Sequence, residues 1–252
     1  MYKIPARTLF AGKNLVYVPQ CHSTNTLAAE LGQKVETPEG TVVITDHQIA
    51  GRGQRGNTWE AQPGKNLTFS LILKPDFLAA KDQFQLNEAI SVGIAHYITS
   101  FVAHKVAIKW PNDILVRDKK VCGILIENHL NSETIGCSIV GIGLNINQQL
   151  FTDPNAESIG MITGNEYQLR DEFEVLLRAL EACYLDLKRG KQEELENKYL
   201  ELLYRKDEIH LFAARNEIFE GIIIGVNNEG KLRINAGGVE RVFGAKEVAF
   251  LH

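Results

Sequence analysis

The chain has 252 residues, 44% hydrophobic and 23% charged, with a formal net charge of −4. That length holds one large domain, or a main domain plus a small one, and the composition is that of an ordinary globular protein. The negative balance excludes a global pull toward nucleic acid or an anionic membrane surface. Four cysteines, Cys21, Cys122, Cys137 and Cys183, lack paired spacing. This argues against a zinc site or redox pair and fits a reducing compartment. Residues 1–7 form no apolar leader and no apolar run reaches a membrane span of ~18 residues, so the expectation is a cytoplasmic protein.

In chain order, Leu15 to Val18 reads as a strand, and Ser23-Thr24-Asn25-Thr26 offers N-cap chemistry to a helix through Leu31. The β-branched run Thr41 to Thr45 is a second strand. Leu67 to Leu73 is a third, apolar enough to be covered on both faces. Apolar residues at helical spacing from Phe84 to Phe101 predict a long amphipathic helix over 83–102. Strands follow at Val106–Trp110, Ile114–Arg117, Val121–Ile126 and Ser138–Ile142, separated by good turn sequences such as Pro111-Asn112-Asp113. From 169 to 204 the period returns to 3.6, predicting two helices that break at Gly190. After Arg205 short strands resume, with turns at 227–230 and 236–238, which predicts a small appended β-barrel. The domain reading is therefore 1–204 for the main domain and 205–252 for the small one.

The stretch Asp46 to Trp59 concentrates ligand-binding chemistry. Gly51, Gly53 and Gly56 alternate with Arg52 and Arg55 just after a strand. Glycines let backbone N–H groups approach an anion closely, and guanidinium groups match carboxylate and phosphate. Lys109-Trp110-Pro111-Asn112-Asp113 places a cation, a ring, an amide and a carboxylate at one turn, and Lys120 follows at the next. Other signals fall away. Gly141-x-Gly143 lacks the rest of a dinucleotide fingerprint, Gly64-Lys65-Asn66 is no P-loop, and the histidines, His47 and His129 included, lack metal-ligand spacing. No nucleophile elbow is present.

In order along the chain, Ser23-Thr24-Asn25, Gln48, Gly51-Arg52-Gly53-x-x-Gly56-x-x-Trp59, Lys109 to Asp113, Lys119-Lys120-x-x-Gly123-Ile124-Leu125-x-Glu127 and Gly141 to Asn145 resemble the biotin–protein ligases. The resemblance covers roughly residues 10–150, and 205–252 in the character of a small β domain. It implies an α+β fold: a mixed, largely antiparallel sheet packed with helices, like class II synthetases, plus a small C-terminal SH3-like barrel. It implies an ATP-dependent ligase, biotin–[acetyl-CoA-carboxylase] ligase, that makes biotinyl-5′-AMP and passes biotin to a lysine of a carboxyl carrier domain. Magnesium would accompany ATP, and a homodimer is compatible with the family.

By the same resemblance, Ser23, Thr24, Asn25 and Gln48 would bind the ureido end of biotin, with Gly51, Arg52, Gly53, Lys120 and Gly123 completing its pocket. Arg55, Trp59, Asn112 and Asn145 would face ATP. Arg52, Lys120 and Asp113 would carry the chemistry, Asp113 serving either magnesium or the incoming lysine amine. Trp59 and Trp110 are either pocket wall or core. Many family members carry arginine where this chain has Gln54. Gln54 has no charge, so Arg55 is expected to carry more of the phosphate contact. Ligase-like motifs begin near residue 15, so the N-terminal DNA-binding domain of some members is not expected. The alternatives are a lipoate or octanoate ligase of related fold, and a non-catalytic biotin-binding module.

Overall fold

The computed structural model describes residues 2–215 and 217–251, with the Arg55 side chain outside the described residues. Strand β1 (Leu15–Cys21) leads into helix α1 (Thr24–Gly32), then β2 (Val42–Gln48) and β3 (Leu67–Leu73). Helix α2 (Phe84–Thr99) precedes β4 (Val106–Lys109), β5 (Asp113–Val116), β6 (Lys119–Asn131) and β7 (Thr134–Leu144). Three helices follow: the short α3 (Ile159–Thr163), α4 (Leu169–Lys188) and α5 (Gln192–Leu202). The chain then turns to β8 (Ile209–Ala214), β9 (Glu217–Val226), β10 (Leu232–Ala236), β11 (Val239–Phe243) and β12 (Val248–Phe250).

The seven-stranded sheet runs β1-β2-β3-β7-β6-β5-β4. Only β1 and β2 are parallel, α1 making the crossover; every other pair is antiparallel. The mixed, largely antiparallel sheet is thus the one expected. Its register gives the two faces different work. Val42, Ile44, Phe69, Leu71, Val140, Ile142 and Ile124 point to one side and belong to the main core, together with α2 and α4. Val43, Ile72 and Ile139 point to the other side and pack with Ala28 of α1. Beyond that small cluster the second face carries Thr68, Ser70, Gly141, Gly143 and Gly123, small or polar residues that leave room, with Leu125 as an apolar member.

Helix α4 shows why its stripe was readable: Phe173, Leu176, Leu177, Leu180, Tyr184 and Leu187 are all buried against the sheet and α2. Helix α2 is enclosed almost all round, as expected for an element sandwiched between a sheet and further helices. Strands β6 and β7 extend further than expected because their polar ends pair with each other as a hairpin down to Asn131 and Thr134. The C-terminal unit is a five-stranded antiparallel sheet of order β11-β10-β9-β8-β12. The Trp110 indole N–H donates to the Gly230 carbonyl at 2.9 Å, joining the β9–β10 turn to the main sheet.

One buried acid couples the fold to pH. Glu88, inside α2, is pushed up to about 8 by burial and by the nearby Glu196. The folded chain therefore keeps this proton up to about pH 8, whereas an unfolded glutamate loses it near about 4.3. Stability tied to Glu88 is present at low pH and is lost as pH rises toward 8. Glu88→Gln is expected to raise the melting temperature by several degrees at pH 9 and to change it little at pH 4.5. Equal shifts at both pH values would show that Glu88 does not titrate in this range.

Candidate active site

The second face of the sheet opens into a cavity of about 430 Å3, bounded by α1, the 49–59 loop, the β4–β5 turn and residues 245–250 of the small sheet. That volume suits a small organic ligand. At one end α1 begins. Ser23 occupies the N-cap position with extended backbone, but its hydroxyl makes no capping bond. Instead the Thr24 N–H donates to Gln48 Oε1 at 2.7 Å, and the Thr24 hydroxyl lies 3.2 Å from the same oxygen. A side chain from β2 thus satisfies a donor that helix geometry leaves free. Asn25 is fixed in turn: Ser70 donates to its Oδ1 at 2.6 Å and also reaches Thr24 Oγ1 at 2.8 Å. The result is a cluster of hydroxyl and amide groups, nearly all buried, at the cavity floor.

The floor is glycine for a steric reason. A Cβ at Gly141 would stand 2.2 Å from Asn25 Oδ1, and at Gly143 it would stand 2.2 Å from the Trp59 ring. A Cβ at Gly123 would come within 2.9 Å of the same ring. The Gly-x-Gly that is no dinucleotide motif is therefore the space into which Asn25 and Trp59 fit. Gly143→Ala is expected to dislodge the indole, read as a red shift of tryptophan emission, and to cost about 1–3 kcal/mol of stability. An unchanged spectrum would mean that the ring keeps its place.

Charge gathers at the other end. Lys120 Nζ lies 2.7 Å from Asp113 Oδ1 and 5.6 Å from the centre of the Trp59 ring. Among the described residues this buried oxygen has the Lys120 ion pair and no hydrogen bond. The buried Trp59 indole N–H likewise has none. Lys109 packs over the Phe250 ring at 5.3 Å. Burial holds its ammonium below the ordinary lysine range; Arg205 and Lys120 add to the effect and Asp113 opposes it. Asn112 closes the β4–β5 turn, exchanging hydrogen bonds with Ile124 at 2.7 and 2.9 Å.

Above these groups the 49–59 loop folds back on itself. Gly53 N–H bonds Asn57 O at 2.7 Å, Trp59 N–H bonds Gly51 O at 3.0 Å, and Gln54–Gly56 make one 3-10 turn. Arg52 pairs with Glu127 at 2.8 Å.

Ser23, Thr24, Asn25, Gln48, Arg52, Gly53, Trp59, Asn112, Asp113, Lys120 and Gly123 all line the one cavity. Gly51 borders an adjoining hollow under the loop instead. Asn145 is not among the residues lining the cavity; its side-chain amide donates to the Glu157 carbonyl at 3.2 Å, and its Oδ1 lacks a hydrogen-bond partner among the described residues. The Arg55 side chain falls outside the described residues. Sequence reasoning gave no role in the site to Thr68, Lys109, Leu125 or the wall from Ala245 to Phe250. Lys109 stood inside a motif already singled out. The wall comes from a separate sheet and left no local signal.

The description "Biotin/lipoate A/B protein ligase family" matches residues 17–145, the segment that carries most of this site. A bifunctional ligase/repressor BirA of Bacillus spizizenii is 31% identical over 250 residues, covering 95% of this chain and 75% of that protein. The chain belongs to the biotin/lipoate A/B protein ligase family. A biotin–[acetyl-CoA-carboxylase] ligase of Paracoccus denitrificans is 28% identical over 215 residues, covering 82% of this family member and 89% of its own length. In fold, this ligase-family chain is similar to the biotin protein ligase of Aquifex aeolicus in complex with biotin and ATP. The TM-score is 0.77 at 24% identity, covering 95% of one chain and 99% of the other.

Proposed function

We propose that the chain activates biotin with ATP as biotinyl-5′-AMP and transfers it to a lysine of a biotin carboxyl carrier domain. The observation that carries this reading is the division of one cavity into a neutral hydrogen-bonding floor and a cationic end. A urea both donates and accepts hydrogen bonds, and Ser23, Thr24, Asn25 and Gln48 supply both. The dithiolane of lipoate offers no such partners. Floor groups not already bonded within the protein, such as the Ser23 hydroxyl that makes no capping bond, would be left unpaired beneath it, which favours biotin over the lipoate alternative.

In the first step a biotin carboxylate oxygen bonds to the α-phosphorus and pyrophosphate leaves. Two anions must meet, so the step needs fixed positive charge. Lys120 supplies it from beside Trp59, and Arg52 from the loop. In the second step the lysine amine attacks the acyl carbon, AMP leaves, and the amine gives up a proton. Asp113, whose Oδ1 sits 2.7 Å from the Lys120 ammonium, would take that proton or orient the incoming amine. Magnesium accompanying ATP would neutralise phosphate charge, and Asp113, a carboxylate lining the cavity, would help hold it.

The test combines the protein with labelled biotin or lipoate, Mg-ATP and a carrier domain. Pyrophosphate release and label on the carrier with biotin are expected. Label from lipoate alone would support the alternative, and no turnover with either would overturn the ligase reading.

A further inference from the structure

Glu127 takes no part in the two chemical steps, yet it stands where two binding elements meet. It extends from β6 on the same face as Gly123 and Leu125, and its Oε2 accepts from two donors at once. One is Asn25 Nδ2 at 2.8 Å, from the buried start of α1. The other is an Arg52 guanidinium N–H at 2.8 Å, from the 49–59 loop.

Each contact fixes something a ligand needs. Ser70 holds Asn25 Oδ1 from behind, while Leu125 O and Glu127 take the amide N–H bonds. A flipped amide would set its oxygen against two acceptors, so Glu127, the shorter contact, joins the Leu125 carbonyl in fixing which way the Asn25 amide faces. On the loop side, a hollow of about 390 Å3 separates the loop from Leu125 and Glu127. The Arg52–Glu127 pair spans that gap where packing does not.

We propose that Glu127 is a positioning residue for biotin, fastening the arginine loop to the same carboxylate that orients the urea-binding Asn25. This rests on the biotin-ligase reading. Closing the loop and setting the amide are then one event, and Glu127 acts on capture of biotin rather than on the chemical step.

The variants separate the two halves. Glu127→Gln keeps an acceptor for Asn25 but loses the charge facing Arg52. It is expected to raise the KM for biotin about five-fold with kcat within about two-fold, a partly exposed ion pair being worth little more. Glu127→Ala loses both contacts and is expected to raise KM by about ten-fold or more. Limited trypsin digestion supplies a readout apart from activity. Cleavage after Arg52 and Arg55 should quicken in both variants, and biotin should protect the parent more than either. If the parent is active and both variants keep its KM and cleavage rate, the role of Glu127 is overturned and the ligase reading stands. A lower KM in Glu127→Gln would also overturn it, by showing that Glu127 competes with the ligand for Arg52. A parent that makes no biotinyl adenylate would overturn the ligase reading and this role with it. Should Glu127→Ala fold poorly, the nearly isosteric glutamine variant alone decides.

Discussion

Lys120→Ala is expected to lower biotinyl-adenylate formation by about 10²–10³-fold, the usual consequence of removing one donor aimed at developing charge. Lys120 ends in the cavity at the meeting point of Asp113 and the Trp59 ring, so a carboxylate and a phosphate arriving there both face its ammonium. The loss should appear in biotin affinity as well as in turnover, since the same cation would hold the carboxylate before and after adenylation. The fold should hardly notice. A partly exposed ion pair contributes about 1 kcal/mol or less, and Lys120 backbone pairing with Asn155 and Glu157 does not depend on the side chain. Pyrophosphate release under biotin and Mg-ATP measures the first effect, and the melting temperature the second. Normal turnover with unchanged biotin affinity would remove Lys120 from the mechanism.

The largest effect on stability is expected far from the cavity. Glu181, inside α4 and 5% exposed, accepts hydrogen bonds from the backbone N–H groups of Leu9, Phe10 and Ala11 at 2.7, 2.8 and 2.8 Å. Three donors of a non-helical segment thus depend on one carboxylate. Glu181→Ala leaves them without that partner; at about 1–3 kcal/mol for each buried donor, partly recovered by water, the loss is on the order of 3–5 kcal/mol. That is a large share of the roughly 5–15 kcal/mol that holds a domain folded. Glu181→Gln, which keeps acceptor oxygen but not charge, should lose about half as much. Chemical denaturation measures both, and a loss under about 1 kcal/mol for alanine would mean that the segment finds other partners.

The contrast between these two residues shows what a sequence makes legible. Lys120 was readable because it lies in an ordered run of motifs whose residue types fit anionic chemistry. The α4 stripe was readable because helical periodicity is local. Glu181 and Glu127 were not assigned work, because their partners lie about 170 and 100 residues away and only packing brings them near. The same holds for Gly143: the expected strand stopped one residue before it, and the reason for glycine is an indole that arrives from residue 59. Ser23 shows the opposite case. Its type promised a helix cap, and the fold gave that work to Gln48 because β2 runs beside the start of α1. Helix α3 was missed because five residues carry too little period to detect.

The wall from Ala245 to Phe250, with Lys109 resting on the Phe250 ring, has a consequence for biosynthesis. During translation the floor from Ser23 to Gln48, the loop and the Lys120 turn all leave the ribosome well before β12. A chain that stops short of β12 would lack that wall even where the main sheet folds. Ligand contributes stability only to the state that binds it. A ligand bound in the cavity would then stabilise the full chain more than a fragment without β12.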